Sequence, residues 1–203
     1  MDKISKYIQK INHTITVAGL NHDIWWTYKK KKYRKILLYV QDFYPSIFST
    51  SVHAHFVATI MAAYQLLEDR NKKDTITFHY LLDILEQSKK LNAKEIRNFR
   101  RRIKNLKPLW VKISILRNKV FGHATNDLNI NPWKEAKITP NDIKRLIKRY
   151  QKLINDISCK CNGHYYDFCL SAKKDTTNLL KDLKTYNNAL HLTGRSAQSS
   201  SPQ

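Results

Sequence analysis

Apolar residues recur along most of this chain at steps of three and four, the period of helices that bury one face. Ile4, Ile8, Ile11 and Ile15 mark a first such face, expected to fade at Gly19-Leu20-Asn21. A second helix is predicted from near Asp23, carrying Trp25, Trp26 and Tyr28, then the solvated run Lys29 to Lys32, then Tyr33, Ile36, Leu37 and Val40. Tyr44-Pro45 should stop or restart it, because a proline disfavours helical geometry in the residue before it. From Ser46 a long helix reads through Phe48, Val52, Phe56, Ile60, Ala63 and Leu67, the candidate central helix, with Glu68 to Asp74 as a charged exit loop.

Thr77 precedes a short amphipathic helix through Tyr80, Leu81, Ile84 and Leu85, and Asn92 with Glu95 three residues on makes a capping box for the next. That helix bears a seam of Ile96, Phe99, Ile103, Leu106, Trp110 and Ile113, which Pro108 should kink or divide in two. The next two steps of the seam fall on Arg117 and Val120. An arginine thus takes a position where the pattern calls for an apolar side chain. Guanidinium stays charged at any working pH and is rarely buried unpaired, so this position calls for an anion, either a carboxylate or a phosphate.

Beyond it, Asn126 to Trp133 reads as loop. Thr139-Pro140-Asn141-Asp142 combines a cap residue, proline at the first helical position and an acid in the first turn, predicting a helix that runs to about Lys160. Gly163 breaks it, and Tyr165 to Leu190 is expected to be helical with an interruption near Ser171. Residues 193–203, rich in Ser and Gln, show no core pattern and are expected to be disordered. The whole reads as all-α, with one domain over 1–192.

Composition supports that class. Hydrophobic residues make up 42% of 203, while 4 Gly and 5 Pro are too few to punctuate many short strands. The longest unbroken apolar runs, such as Ile36 to Val40, are too short for a membrane span, and no secretion signal opens the chain. A soluble cytoplasmic protein is expected, without membrane association. Three cysteines, an odd number, do not make a disulfide framework and suit a reducing compartment. Lys and Arg total 37 against 16 Asp and Glu, a formal charge of +21. Releasing counterions from a polyanion is the natural use of such an excess, so RNA becomes the expected partner, although a Lys-coated surface can also exist for its own sake. Arg97, Arg100, Arg101 and Lys104 on the seam helix, with Lys119 beside Arg117, are the candidate RNA-binding residues.

His123 follows Arg117 by six residues, with Asn118 next to the arginine. A ribonuclease working without metal needs a base for the ribose 2′-hydroxyl, an acid for the leaving 5′-oxygen and a cation for the charge on phosphorus. Imidazole and guanidinium supply these, and Asn118 could orient ribose or phosphate. Spacing alone carries little weight, since about one such pair arises by chance in a chain of this composition. Six helical steps place the two side chains about 120° apart, so they converge only if the helix unwinds at Gly122 or if two protomers share a site about a two-fold axis. The structural alternative pairs Arg117 with an acid such as Asp127 and leaves His123 to cap a helix end.

Leu116-Arg117-Asn118-Lys119-Val120-Phe121-Gly122-His123 resembles the motif of the HEPN superfamily: arginine, a polar residue beside it, then histidine. The likeness to the abortive-infection AbiU-like branch extends to the Trp25-Trp26 helix and to Ala63-Tyr-Gln-Leu-Leu-Glu-Asp-Arg-Asn71 followed by Thr75-Ile-Thr-Phe78, covering about 23 to 125. The resemblance implies an antiparallel helical bundle with additional C-terminal helices. It also implies a homodimer that brings two motifs into one basic cleft and cuts RNA without metal or cofactor, leaving a 2′,3′-cyclic phosphate. Arg117 would hold the scissile phosphate, His123 would act as base or acid, and Asn118 would support them. Gly122 stands where many relatives have Ala, which loosens that helix end. A cognate antitoxin is a candidate partner. Some members only bind, so a catalytically silent module that holds RNA or a protein is the alternative function.

Cys159, Cys161, His164 and Cys169 fall within eleven residues, as a four-ligand zinc site would. Cys159 and Cys161 would point to different helix faces, however, and small buried thiols are the expectation; no metal site is assigned. No phosphate-cradling Gly loop is present, which disfavours nucleotide hydrolysis.

Overall fold

The computed structural model describes residues 3–68, 75–119 and 131–198, with side chains as far as Leu190. Every regular element among them is helical: α1 (Lys3–Lys29), a 3₁₀ turn (Lys31–Tyr33), α2 (Arg34–Phe43), α3 (Pro45–Gln65), α4 (Phe78–Gln87), α5 (Ala93–Lys104), α6 (Lys107–Arg117), α7 (Pro132–Ala136), α8 (Pro140–Asn162) and α9 (Lys173–Gln198). The all-α expectation holds.

Two compact units emerge, one of residues 1–22 and 57–170, the other of 23–56 and 171–203. In the first, α1 and α8 run antiparallel. Ser5 accepts a hydrogen bond from Asn162 at 3.2 Å, Gly19 lies against Ile147 and Gln151, and His22 Nε2 is 3.2 Å from the Pro140 carbonyl. Ile8, Ile11 and Ile15 are fully buried, as are Ile60 and Ala63 of α3 and Ile143, Leu146, Tyr150, Ile154 and Ile157 of α8. Tyr150 donates its hydroxyl to the Ala63 carbonyl at 2.9 Å, which satisfies its one polar atom inside the core. α4 packs on α5, and α6 on α7 and α8. The second unit has its own core of Tyr28, Leu37, Val40, Phe48 and Leu180, where α2 packs on α9.

Local sequence signals set most boundaries. Thr77 caps α4 by accepting from the Tyr80 amide at 3.1 Å, and Asn92 with Glu95 and Thr139 with Asp142 form reciprocal capping boxes. Each such cap is worth about 1 kcal/mol. The Lys160 ammonium bonded to Glu95 holds that carboxyl below its usual range. Pro108 does divide the seam helix, with Asn105 and Leu106 forming the turn between α5 and α6. Gly163 ends α8 in the left-handed region at φ 68°, which glycine enters without strain.

Four expectations are corrected. α1 does not fade at Gly19-Leu20-Asn21: its buried face continues through Ala18, His22, Trp25 and Tyr28, and a single glycine in a packed helix costs too little to break it. Asn131 caps Pro132–Ala136 by accepting from the amides of Trp133 and Lys134, turning the end of the expected 126–133 loop into a short helix. Tyr165 to Leu170 is not helical. Asn155, buried on α8, donates to the Tyr166 carbonyl and accepts from its amide, both at 3.0 Å, and this paired contact holds the segment away from helical geometry. Cys159 and Cys169 are exposed rather than buried thiols.

α9 carries helical backbone to Gln198, part of the way into the 193–203 segment, and Ser199 to Gln203 lie outside the described residues. By length and composition, α3 is the one described helix apolar enough to cross a membrane; Phe48, Phe56, Ile60 and Ala63 on it are buried, while Ile47 and Met61 are exposed.

Candidate active site

α6 buries Leu109, Ile113 and Leu116, one face at steps of four and three. Here the seam differs from its sequence reading, because Leu116 rather than Arg117 takes the core position. Arg117 lies one step round, half-buried on the flank. Trp110 shares that flank, since seven residues bring a helix back to within about 20° of the same direction. A charged tip thereby reaches solvent while its stem packs, an arrangement that burial in the core position would deny it.

Tyr64 of α3 fills the space beside this flank. Its ring stacks on Trp110 with centroids 5.4 Å apart and planes 18° from parallel. The Trp110 indole also donates to the Tyr64 carbonyl at 2.8 Å, tying α6 to α3 at that level. Over the same tyrosine ring sits the Arg117 guanidinium, 5.0 Å from the centroid. A planar cation on an aromatic face is favourable by about 0.5–1 kcal/mol at exposed sites and fixes the plane of the fork.

The fork is otherwise little engaged. Arg117 Nη1 donates to Asn118 Oδ1 at 2.9 Å, while Nε is buried with no hydrogen-bond partner among the described residues. No carboxylate among the described residues pairs with the guanidinium; the nearby acid of α7, Glu135, faces Lys119 instead at 3.3 Å. Helical geometry persists past Arg117, with Asn118 and Lys119 in a wider π-type turn, a form of helix irregularity frequent at functional positions. Gly122, His123 and Asp127 lie outside the described residues.

The basic residues of α5 divide into two groups. Arg100 is held by Asp83 at 2.9 Å and Glu86 at 2.7 Å, so its charge is compensated within the fold. Arg97 and Lys104 are exposed without an acidic partner among the described residues, and Arg101 bonds only the neutral Asn98. Lys104 and Arg100 also line a cavity of about 390 Å³ with His79, Leu82 and Trp110. Among the described residues no group of three His, Cys, Asp or Glu could hold a metal ion; Cys159 bonds the His164 carbonyl, and Cys169 has its thiol raised by Asp167.

A family model described as AbiU2, within the HEPN class, matches residues 1–186. The chain belongs to the AbiU2 family of HEPN proteins. This is an abortive-infection family within a class of domains commonly active as ribonucleases. No curated protein and no solved structure matches it. The match extends beyond the resemblance over 23 to 125 and takes in α8 and part of α9. In this HEPN AbiU2 chain the candidate Arg117 lies on Tyr64, itself stacked on Trp110, a contact that the sequence pattern does not signal. Trp110 reads from sequence as a seam residue, and nothing in the sequence links Tyr64 to a residue 53 positions later.

Proposed function

We propose that this protein is a metal-independent endoribonuclease of the toxin or phage-defence type. The supporting observation is Arg117: a guanidinium oriented by Tyr64 and bonded to Asn118, with a buried Nε that meets no partner, and a charge that meets no carboxylate, among the described residues. Such a group is prepared for an anion, and phosphate matches its fork. On this reading Arg117 holds the scissile phosphodiester and stabilises charge on its non-bridging oxygens. His123 takes the proton from the 2′-hydroxyl or returns one to the leaving 5′-oxygen, and Asn118 keeps the guanidinium in plane. The 2′-oxygen attacks phosphorus, the bond to the 5′-oxygen breaks, and a 2′,3′-cyclic phosphate remains. A homodimer would set two motifs about one cleft, with Arg97, Arg101 and Lys104 drawing RNA toward it in the cytoplasm, while Arg100 and Lys119 are already met by acids.

The experiment is RNA cleavage in excess chelator, with the ends analysed for cyclic phosphate. Wild type should cut, and Arg117→Ala and His123→Ala should lose at least about a hundredfold in rate, the scale of one acid–base or electrostatic group. Variants that cut as fast as wild type would overturn the site. Binding without any cleavage would instead favour a silent HEPN module that holds RNA or a partner such as an antitoxin.

A further inference from the structure

α8 has two unlike faces. Its inner side buries seven apolar residues between Ile143 and Ile157, while Lys148, Arg149 and Lys152 stand exposed on the outer side. A shallow depression of about 450 Å³ follows that side, lined by Asn141, Lys144, Arg145, Lys148, Arg149 and Lys152, with no carboxylate among them. The acids at either end are already engaged: Asp142 closes the capping box and meets Arg145, and Asp156 meets Arg102 at 2.7 Å. Lys148, Arg149 and Lys152 have no acidic partner among the described residues. Cations four apart on one helix repel, so this face is destabilising until an anion covers it.

Lys148 and Lys152 follow each other about 6 Å apart along the axis. A second depression of about 430 Å³ extends from Arg149 and Lys152 toward Arg102 and Asn105 of the α5 end, and there Asp156 is part of its lining and is taken up by Arg102. No aromatic side chain lines either depression. Proteins that hold single strands supply rings on which bases stack, whereas base-paired RNA is held by its backbone and shape.

We propose that the outer face of α8, through Lys148, Arg149 and Lys152, docks the phosphate backbone of base-paired RNA. α8 packs against α6, the helix that ends in Arg117, so the same unit that carries the Arg117 site also grips a stem. The choice of RNA as the polyanion rests on the ribonuclease reading; the basic face itself does not.

Fluorescence anisotropy with a 2′-O-methyl RNA duplex of roughly 16 base pairs, which retains the A-form backbone but lacks the attacking hydroxyl, tests binding apart from cleavage. Lys148→Glu/Arg149→Glu/Lys152→Glu should weaken duplex binding by at least about tenfold and flatten the dependence of log Kd on log salt by about two to three units. Lys29→Glu/Lys31→Glu/Lys35→Glu, an equal change of charge at exposed positions of the other unit, should weaken it far less. Equal losses in both triple variants, an unaffected α8 variant, or a single strand of the same length binding as tightly as the duplex would each overturn the proposal. Wild type that holds the duplex yet cuts no RNA in the chelator assay would sink the ribonuclease reading and leave the α8 surface standing.

Discussion

The Arg117 guanidinium rests on the ring of Tyr64, 5.0 Å from its centroid, and that ring is itself stacked on Trp110. The orientation of the proposed phosphate-binding group is therefore set from α3, a helix far away in sequence.

It follows that Tyr64→Phe, which keeps the face, should cleave RNA within about threefold of wild type, whereas Tyr64→Leu should lose about tenfold or more. The two rates under single-turnover conditions, with thermal melts of both proteins, make the check. Equal activity in Tyr64→Leu would show that the stack does not position Arg117.

Arg117→Lys keeps the charge but gives up the planar fork and the stacking, so cleavage should fall by at least about tenfold. Arg117→Met removes a charge whose Nε is buried without a partner among the described residues, and should melt at or above the wild-type temperature while being inactive. A large drop in melting temperature for Arg117→Met would mark Arg117 as a structural residue.

Burial raises the Tyr150 hydroxyl well above its usual ionisation range, while in the unfolded chain it ionises near pH 10. A group raised on folding contributes stability that is complete below its unfolded value and lost as pH rises beyond it. Wild type should accordingly lose more stability than Tyr150→Phe between pH 8 and pH 11 in urea unfolding. At pH 7 the variant should be less stable by about 1 kcal/mol, the worth of the bond to Ala63.

Asn155→Leu deletes both bonds to the Tyr166 backbone and should cost about 1–3 kcal/mol. Hydrogen exchange at the Tyr166 amide should accelerate, and limited proteolysis should open the segment between Gly163 and Ser171 before any other described region. Unchanged protection at Tyr166 would refute the pinning role.

Gly19→Ala is the stabilising case. A Cβ there meets only Ile147 and Gln151 at 3.9 Å, ordinary contact within a continuous helix, so the substitution should add about 0.5–1 kcal/mol. A destabilised Gly19→Ala would mean that α1 and α8 pack more closely than these contacts indicate.

Much of the fold was legible because its signals are local. The apolar period, the caps at Thr77, Asn92 and Thr139, and the division at Pro108 act between residues a few positions apart, and they reappear as α4, α5, α6 and α8. Errors arose where a distant contact overrode a local preference. Gly19 did not break α1, because packing against α8 outweighs one glycine. Tyr165 to Leu170 left the helix because Asn155 offered its backbone a better partner. The basic residues of α8 are legible as well, at spacings of one, three and four, but their spacing does not tell which of them meet an acid.

By itself the sequence determined the helical class and a charge of +21, which are properties of short spacing and composition, and it carried the resemblance to the HEPN motif in Arg117 and Asn118. Only the tertiary structure decided that Leu116 takes the core position and Arg117 its flank, and that Tyr64 lies beneath the guanidinium. It also decided that Arg100 is neutralised by Asp83 and Glu86 while Lys148, Arg149 and Lys152 meet no acid among the described residues. Which charges meet a partner depends on which helices pack together, and that is settled by burying many apolar faces at once rather than by any single stretch of chain.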